Sequence, residues 1–282
     1  MNVRLTTVRS FFSNPAHRRV IFSVVLALFL FAIISKHGTT VLTNAYEDLS
    51  LRLFPSAQRY FDLGGRHFDA QSPSRYDIAR AEYFFGKAAD IDATTPYLYH
   101  ELARIAFLKG DFEVAMALID TQIQLMGDNA PNSYYIRALI EGYKGEYAAS
   151  ATDYVHFLQF QPTNWAATND YAWVLLKAGR AKEAAAVTGR ALEWFPDNPW
   201  LLNTNATALY EMHENAGALQ SAQKASIAVS KLSEAEWLQA YPGNDPKIAD
   251  KGIAAFKRAV QDNIHSITLA LASGALQSNV KP

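Results

Sequence analysis

Residues 165–199 read WAATNDYAWVLLKAGRAKEAAAVTGRALEWFPDNP, and this stretch decides the fold. Gly179 supplies the left-handed or open backbone that ends one helix and turns the chain. Pro196 disfavours helix at Phe195 and so stops a second one. Ala172 and Ala184, twelve residues apart, sit on either side of the turn. Two helices approach to about 8–10 Å only where the crossing carries small side chains. Ala191, seven residues past Ala184, stays on the same helix face.

The pattern recurs outward in both directions. Small residues in the phase of Ala184 stand at Ala81, Ala115, Ser150 and Ala218, in steps of 34, 35, 34 and 34. Twelve residues before four of the five lie Ala103, Ala138, Ala172 and Ala206. In the first copy Gly64 takes that role seventeen residues ahead, so five extra residues fall around "AQSPS". Turn glycines recur at Gly110, Gly145 and Gly179, with His213 in the last copy, and Pro162 and Pro196 close two copies. A fixed period of this length marks a stack of helix pairs.

On these residues the chain resembles the tetratricopeptide repeat (TPR) family, over about residues 57 to 232. Tyr99 and Tyr134 match the aromatic that often opens the first helix. The small residue, turn glycine, alanine of the second helix and closing proline match too. Departures are Gln122 and Phe157 at usual alanine positions, and Ala93 and Gly127 in place of proline. The resemblance implies an all-α fold, a right-handed α-solenoid of about five TPR helix pairs with a C-terminal capping helix. Ser233 and Glu236 form a capping box. "YPGNDP" is a turn, followed by a helix from about Pro246 to Asp262 and another from Ile264 to Ser273. A solenoid needs such a cap over its last apolar face.

"VIFSVVLALFLFAIIS", Val20 to Ser35, is sixteen residues without a charge, flanked by Arg18-Arg19 and Lys36-His37. As a helix it spans about 24 Å against a hydrocarbon core of about 30 Å, a shortfall that snorkelling arginines make up. It reads as an uncleaved transmembrane helix contacting the lipid bilayer. A cleaved signal peptide is the competing reading, although "TNA" at 43–45 lies far downstream for a cleavage site. More positive charge before the segment than after it puts the N-terminus in the cytoplasm and the repeats outside. A bacterial inner membrane fits this layout; the Arg- and Ser-containing, acid-free leader also suits a mitochondrial protein. The expected divisions are a basic N-terminus 1–19, a signal-anchor helix 20–36 and a helical linker 37–56. Repeats follow at about 57–95, 96–130, 131–164, 165–198 and 199–232, then capping helices and a tail, 233–282.

Half of the 282 residues are hydrophobic and the net charge is −1. Residues 1–36 carry +5, leaving −6 for the rest, which offers no basic stripe for nucleic acid. With no cysteine there are no disulfides, thiolate sites or cysteine nucleophile. No nucleotide, hydrolase or zinc-protease motif occurs. The seven histidines lack metal-ligand spacing, and the Asn205 sequon falls mid-helix, where chance explains it. Repeats and anchor leave no room for a catalytic domain, so a non-enzyme without cofactor or metal is expected, with no small-molecule substrate.

Recognition in the resembled family usually occurs on the concave wall made by the first helices. The inward positions are Tyr97, His100, Arg104 and Phe107; Tyr135, Leu139 and Tyr143; Asn169 and Trp173; and Asn203, Thr207 and Tyr210. Rings as anchors and Asn side chains for backbone pairing suit an extended or helical peptide. Some family members clamp a C-terminal carboxylate, but the matching positions here are His100, Arg104, Ile136, Ala166 and Asp170, and Asp170 would repel it. The expectation is a membrane-anchored scaffold or assembly factor binding a protein or peptide partner in a bacterial envelope complex. A periplasmic chaperone-like accessory of a secretion translocon and a non-catalytic subunit of an envelope biosynthesis enzyme remain alternatives.

Overall fold

Four of the five repeat hairpins close with the same backbone chemistry, whereas the first leaves its helix at Phe68 with φ of −103°. Gly110, Gly145, Gly179 and His213 all take the left-handed conformation, with φ of 82°, 86°, 72° and 62°. The residue after each donates its amide five residues back: Asp111 to Ala106, Glu146 to Glu141, Arg180 to Leu175 and Glu214 to Leu209. This bond satisfies a carbonyl that the helix end would otherwise orphan. His213 therefore substitutes for glycine in geometry, at the steric cost of a side chain at positive φ.

The computed structural model describes residues 15–34, 36–240 and 243–278. Ahead of the repeats come α1 (Pro15–Ile34) and α2 (Lys36–Leu53). The pairs are α3 (Ala57–His67) with α4 (Ile78–Ile91), α5 (Leu98–Lys109) with α6 (Phe112–Met126), and α7 (Asn132–Lys144) with α8 (Tyr147–Phe160). They continue as α9 (Trp165–Lys177) with α10 (Ala181–Trp194), and α11 (Pro199–Glu211) with α12 (Asn215–Ser230). A short α13 (Glu234–Ala240) and a long α14 (Ala249–Ser278) follow, the latter entered through a 3-10 turn at Pro246–Ile248. Among the described residues there is no strand. Most of the basic tail 1–19, Ser35 of the apolar run, Tyr241 and Pro242 of the "YPGNDP" turn and the last four residues lie outside the described residues.

The small residues sit at the helix crossings. Ala81, Ala103, Ala115, Ala138, Ala172, Ala184, Ala206 and Ala218 are wholly buried. Ser150 is tolerated in this series because its hydroxyl donates to the Ala138 carbonyl at 2.6 Å, across the hairpin. Gly64 is pressed by the Phe85 ring; a Cβ there would come within 2.6 Å of it. Asn164 and Asn198 cap α9 and α11 by accepting from Ala167 and Leu201 amides, with Pro199 at the first helical position.

The departures from the family pattern have local reasons. Tyr97 precedes α5 in the left-handed conformation and gives no side-chain cap. Gln122, from α6, replaces it by accepting the His100 amide at 3.2 Å. Phe157 packs its ring 5.3 Å from that of Tyr135. Asn205, in the sequon, is buried: its amide donates to Thr188 at 2.9 Å and its oxygen accepts from Ser221.

Charged groups tie neighbours together. On α2, buried Glu47 meets His67 Nε2 at 3.2 Å, and Arg80 reaches Asp48 at 3.1 Å, docking the linker on the first repeat. Arg137 of α7 forks onto Asp153 of α8 and also bonds Asp120 of α6. Beside that fork, Glu141 is buried with Oε2 unpartnered. Burial, and then the Asp153 charge, push its carboxyl up to about 7. An acid whose folded pKa lies above its usual value keeps a proton that the unfolded chain releases. Stability therefore falls as pH rises from about 4.5 to 7. Glu141→Gln is expected to raise stability by on the order of 2–3 kcal/mol at pH 8 and to leave it unchanged at pH 4. Melting curves across this range check it; a pH-independent difference contradicts it.

One expectation fails at the C-terminus. The helix does not break between Asp262 and Ile264: Ala249–Ser278 is continuous. The intervening Asn263 spends its side-chain amide on Asn203 Oδ1 at 2.9 Å and is also within 3.4 Å of Thr207 Oγ1, instead of competing for its own backbone. α14 also buries Val260 and Ile267 against α11 and α12, capping the stack.

A candidate partner-binding groove

The first helices α5, α7 and α9 form the wall of a groove of about 870 Å3, with Trp200 and Thr204 of α11 at its far end. The structure gathers eight of the expected residues there: His100, Arg104, Phe107, Tyr135, Leu139, Tyr143, Asn169 and Trp173. Their rings interlock. Phe107 meets Tyr143 edge-on at 5.1 Å, and Tyr143 lies 5.9 Å from Trp173.

The other four expected residues do not line it. Tyr97 stands at the α5 start, ring edge to His100 and hydroxyl toward the Asn129 carbonyl. Asn203 and Thr207 are taken by Asn263, and Tyr210 packs in a cluster with Ile264 and Leu271, so α14 covers this part of the wall. The capping helix was expected to seal the end of the stack; it also occupies the inner positions of the fifth copy.

Residues that reading by period three and four passes over complete the site. Tyr135 donates its hydroxyl to Asp170 Oδ2 at 2.7 Å, and Thr204 donates to Asn169 Oδ1 at 2.8 Å. Each pair is 35 residues apart, one repeat on, a signal present in the sequence. Asn169 in turn donates to Asp170 Oδ1 at 3.3 Å. Burial pushes the Asp170 carboxyl up to about 6, against the pull of these two donors. His100 is buried and its Nδ1 lies 3.2 Å from Ser133 Oγ; burial, then Arg104, hold its pKa down to about 3, so it is neutral. Arg104 pairs with Glu101 at 2.7 Å and lies 4.7 Å over the Phe68 ring.

The far side of the groove is closed by the C-terminal segment. Gln239 and Ala240 of α13 and Asn244 face the wall. The Gly243 carbonyl accepts from Tyr76 at 2.5 Å, across 167 residues of sequence. Ala70, in the first copy's extra residues, is buried with Trp200, Trp237 and Leu238. Trp165, Trp200 and Phe256 stack at 5.0 and 5.5 Å. The inserted loop thus reaches the far end of the stack, and α13 together with Gly243 straps first repeat to last.

Outside the groove, the exposed apolar side chains of α1 include Val20, Phe22, Phe29 and Phe31. Among the described residues no helix is long and apolar enough to cross a membrane, and no group of three His, Asp or Glu side chains is suited to a metal ion.

A stack of helix pairs with a concave inner wall defines a TPR-type α-solenoid, and known structures share that fold. Among them, a tetratricopeptide repeat protein from Parabacteroides merdae ATCC 43184 superposes with a TM-score of 0.56 at 13% identity, covering 87% of this chain and 98% of that one. YrrB, a TPR protein with an unusual peptide-binding site, gives 0.52 at 13% identity, covering 73% and 97%. MamA gives 0.52 at 15% identity over 62% and 92%. No family model and no curated protein matches the sequence. At these identities the likeness establishes the TPR fold.

Proposed function

We propose that the chain is a membrane-anchored scaffold or assembly factor that binds a protein or peptide partner in its groove, within a bacterial envelope complex. The observation that carries the reading is the groove itself, where eight inward residues converge on about 870 Å3 with interlocked rings and a polar floor. Concave, ring-lined sites with few polar groups are where partners dock. The role is binding and not catalysis. YrrB, with its unusual peptide-binding site, supports a peptide occupant by analogy of fold. The anchor rests on the uncharged run from Val20, its exposed apolar side chains and the arginines ahead of it. The repeats then lie outside the cytoplasm.

Capture from crosslinked membranes tests this. The Tyr135→Ala/Trp173→Ala pair is expected to weaken the partner by more than about 2 kcal/mol, roughly thirtyfold. Trp194→Ala, on an outer helix and 73% exposed, is expected to change nothing. Equal recovery with the groove pair overturns the assignment, provided the variant retains its helical signal.

A further inference from the structure

The groove has a chemical direction along its floor. Thr204 donates to Asn169, Asn169 donates to Asp170, and Tyr135 donates to Asp170 from the other side. Two of the three bonds deliver a hydrogen to the Asp170 carboxylate, and the third holds the Asn169 amide in place; both donors favour the ionised form against the burial that opposes it. Among the described residues no ion pair reaches that charge, while the nearest groove cation, Arg104, is engaged with Glu101. Four rings stand around it: Tyr135, bonded to it; Tyr143 and Tyr154, both of which feel the Asp170 charge; and Trp173 one helical turn on, with Lys177 Nζ 5.6 Å from its ring centre.

We propose that the groove recognises a basic side chain, a lysine or arginine carried on an otherwise apolar partner segment, whose cation is received by Asp170 inside the ring of Tyr135, Tyr143, Tyr154 and Trp173. This deepens the proposed function and rests on the groove being the partner surface. A carboxylate at the floor supplies a charge-assisted hydrogen bond, and ring faces add cation–π attraction. A metal ion is a poor fit, because a single carboxylate among phenols and amides is not a ligand set for one. An acidic partner is repelled by the same charge. The apolar flanks are met by Phe107 and Leu139.

The cation must displace a proton when Asp170 is protonated, which couples binding to pH. With the free carboxyl at about 6, its ionised share falls about tenfold from pH 7 to pH 5. Affinity therefore falls by about that factor as pH drops and levels off above pH 7. The other groups at the site are Tyr135, Tyr143, Tyr154, His100, the Glu101–Arg104 pair, and Lys177, whose Nζ lies 5.6 Å from the Trp173 ring centre. Glu141 on α7 acts on Tyr154 and titrates near 7, so the pH series is run in a Glu141→Gln background as well.

The probe is a phage-displayed library of random dodecapeptides, selected at pH 7.5 on the full chain in detergent. Selected sequences are expected to share one Lys or Arg flanked by apolar residues. Replacing that residue by norleucine in the synthetic peptide is expected to weaken binding at least tenfold. Asp170→Asn is expected to do the same, with no further loss when the two changes are combined. Peptides without a basic residue overturn the cation assignment. So does binding that Trp173→Ala abolishes and both Asp170→Asn and norleucine leave intact; the groove reading then stands. Peptides indifferent to Trp173→Ala, or no enrichment at all, overturn both. The norleucine comparison uses only the unaltered protein, so a folding defect in a variant does not obscure the outcome.

Discussion

Truncating Phe85 to alanine is expected to cost about 3–5 kcal/mol, the range for deleting a buried ring. The ring is wholly buried in the cluster of Phe68, Ala81, Ala88, Leu98 and Ile105, and Phe61 meets it at 5.4 Å. Solenoid stability is a sum of repeats and their nearest-neighbour interfaces, so the loss falls first on α3 and α4. Gly64→Ala alone is expected to cost about 1–3 kcal/mol, since its new Cβ collides with that same ring. In the Phe85→Ala background the collision has no partner, and the second change should cost far less. A urea-unfolding double-mutant cycle reads the coupling directly. Additive losses would mean that the Gly64–Phe85 contact does not set the first hairpin.

The second large effect is at the other end of the strap. Trp237 is buried with Ala70, Trp200, Leu238, Ala249 and Ile253, and its ring lies so close to Gly252 that a Cβ there has no room. Trp237→Ala is expected to cost about 3–5 kcal/mol, concentrated in the segment that holds the groove's far side. Hydrogen exchange should show α13 and the Pro246–Ile248 turn losing protection, while α5 to α10 keep theirs. Protection lost evenly along the chain would contradict a strap that is a separate layer over the groove. Unchanged exchange in the strap would place its anchorage elsewhere, at the Tyr76–Gly243 bond.

The repeat was legible because its determinants are local and periodic. Alanines at the crossings and glycines at the turns act within one 34-residue unit, so a single copy carries the argument. The wall of the groove was legible for the same reason wherever α14 does not pack on it, as with His100, Tyr135 and Trp173. Asn203, Thr207 and Tyr210 stand in the same phase, yet their neighbour is Asn263 or an α14 cluster some sixty residues on. Periodicity carries no information about such a partner. The strap is the extreme case: Tyr76 and Gly243 meet across 167 residues, and the five extra residues around Ala70 carry no local sign that they pack with Trp200 and Trp237. Asp170 was visible as a residue hostile to carboxylates. The bonds from Tyr135 and Asn169 give that hostility a geometry.

In the proposed function the inner wall, and not the outer surface, meets the partner. Position-resolved photo-crosslinking in intact membranes measures it most directly, with the photoreactive residue placed in turn at Phe107, Leu139 and Trp194. The first two face the groove, whereas Trp194 on α10 is exposed outside it. One discrete adduct is expected from Phe107 and from Leu139, and none from Trp194. An adduct from Trp194 with none from the groove positions would contradict it.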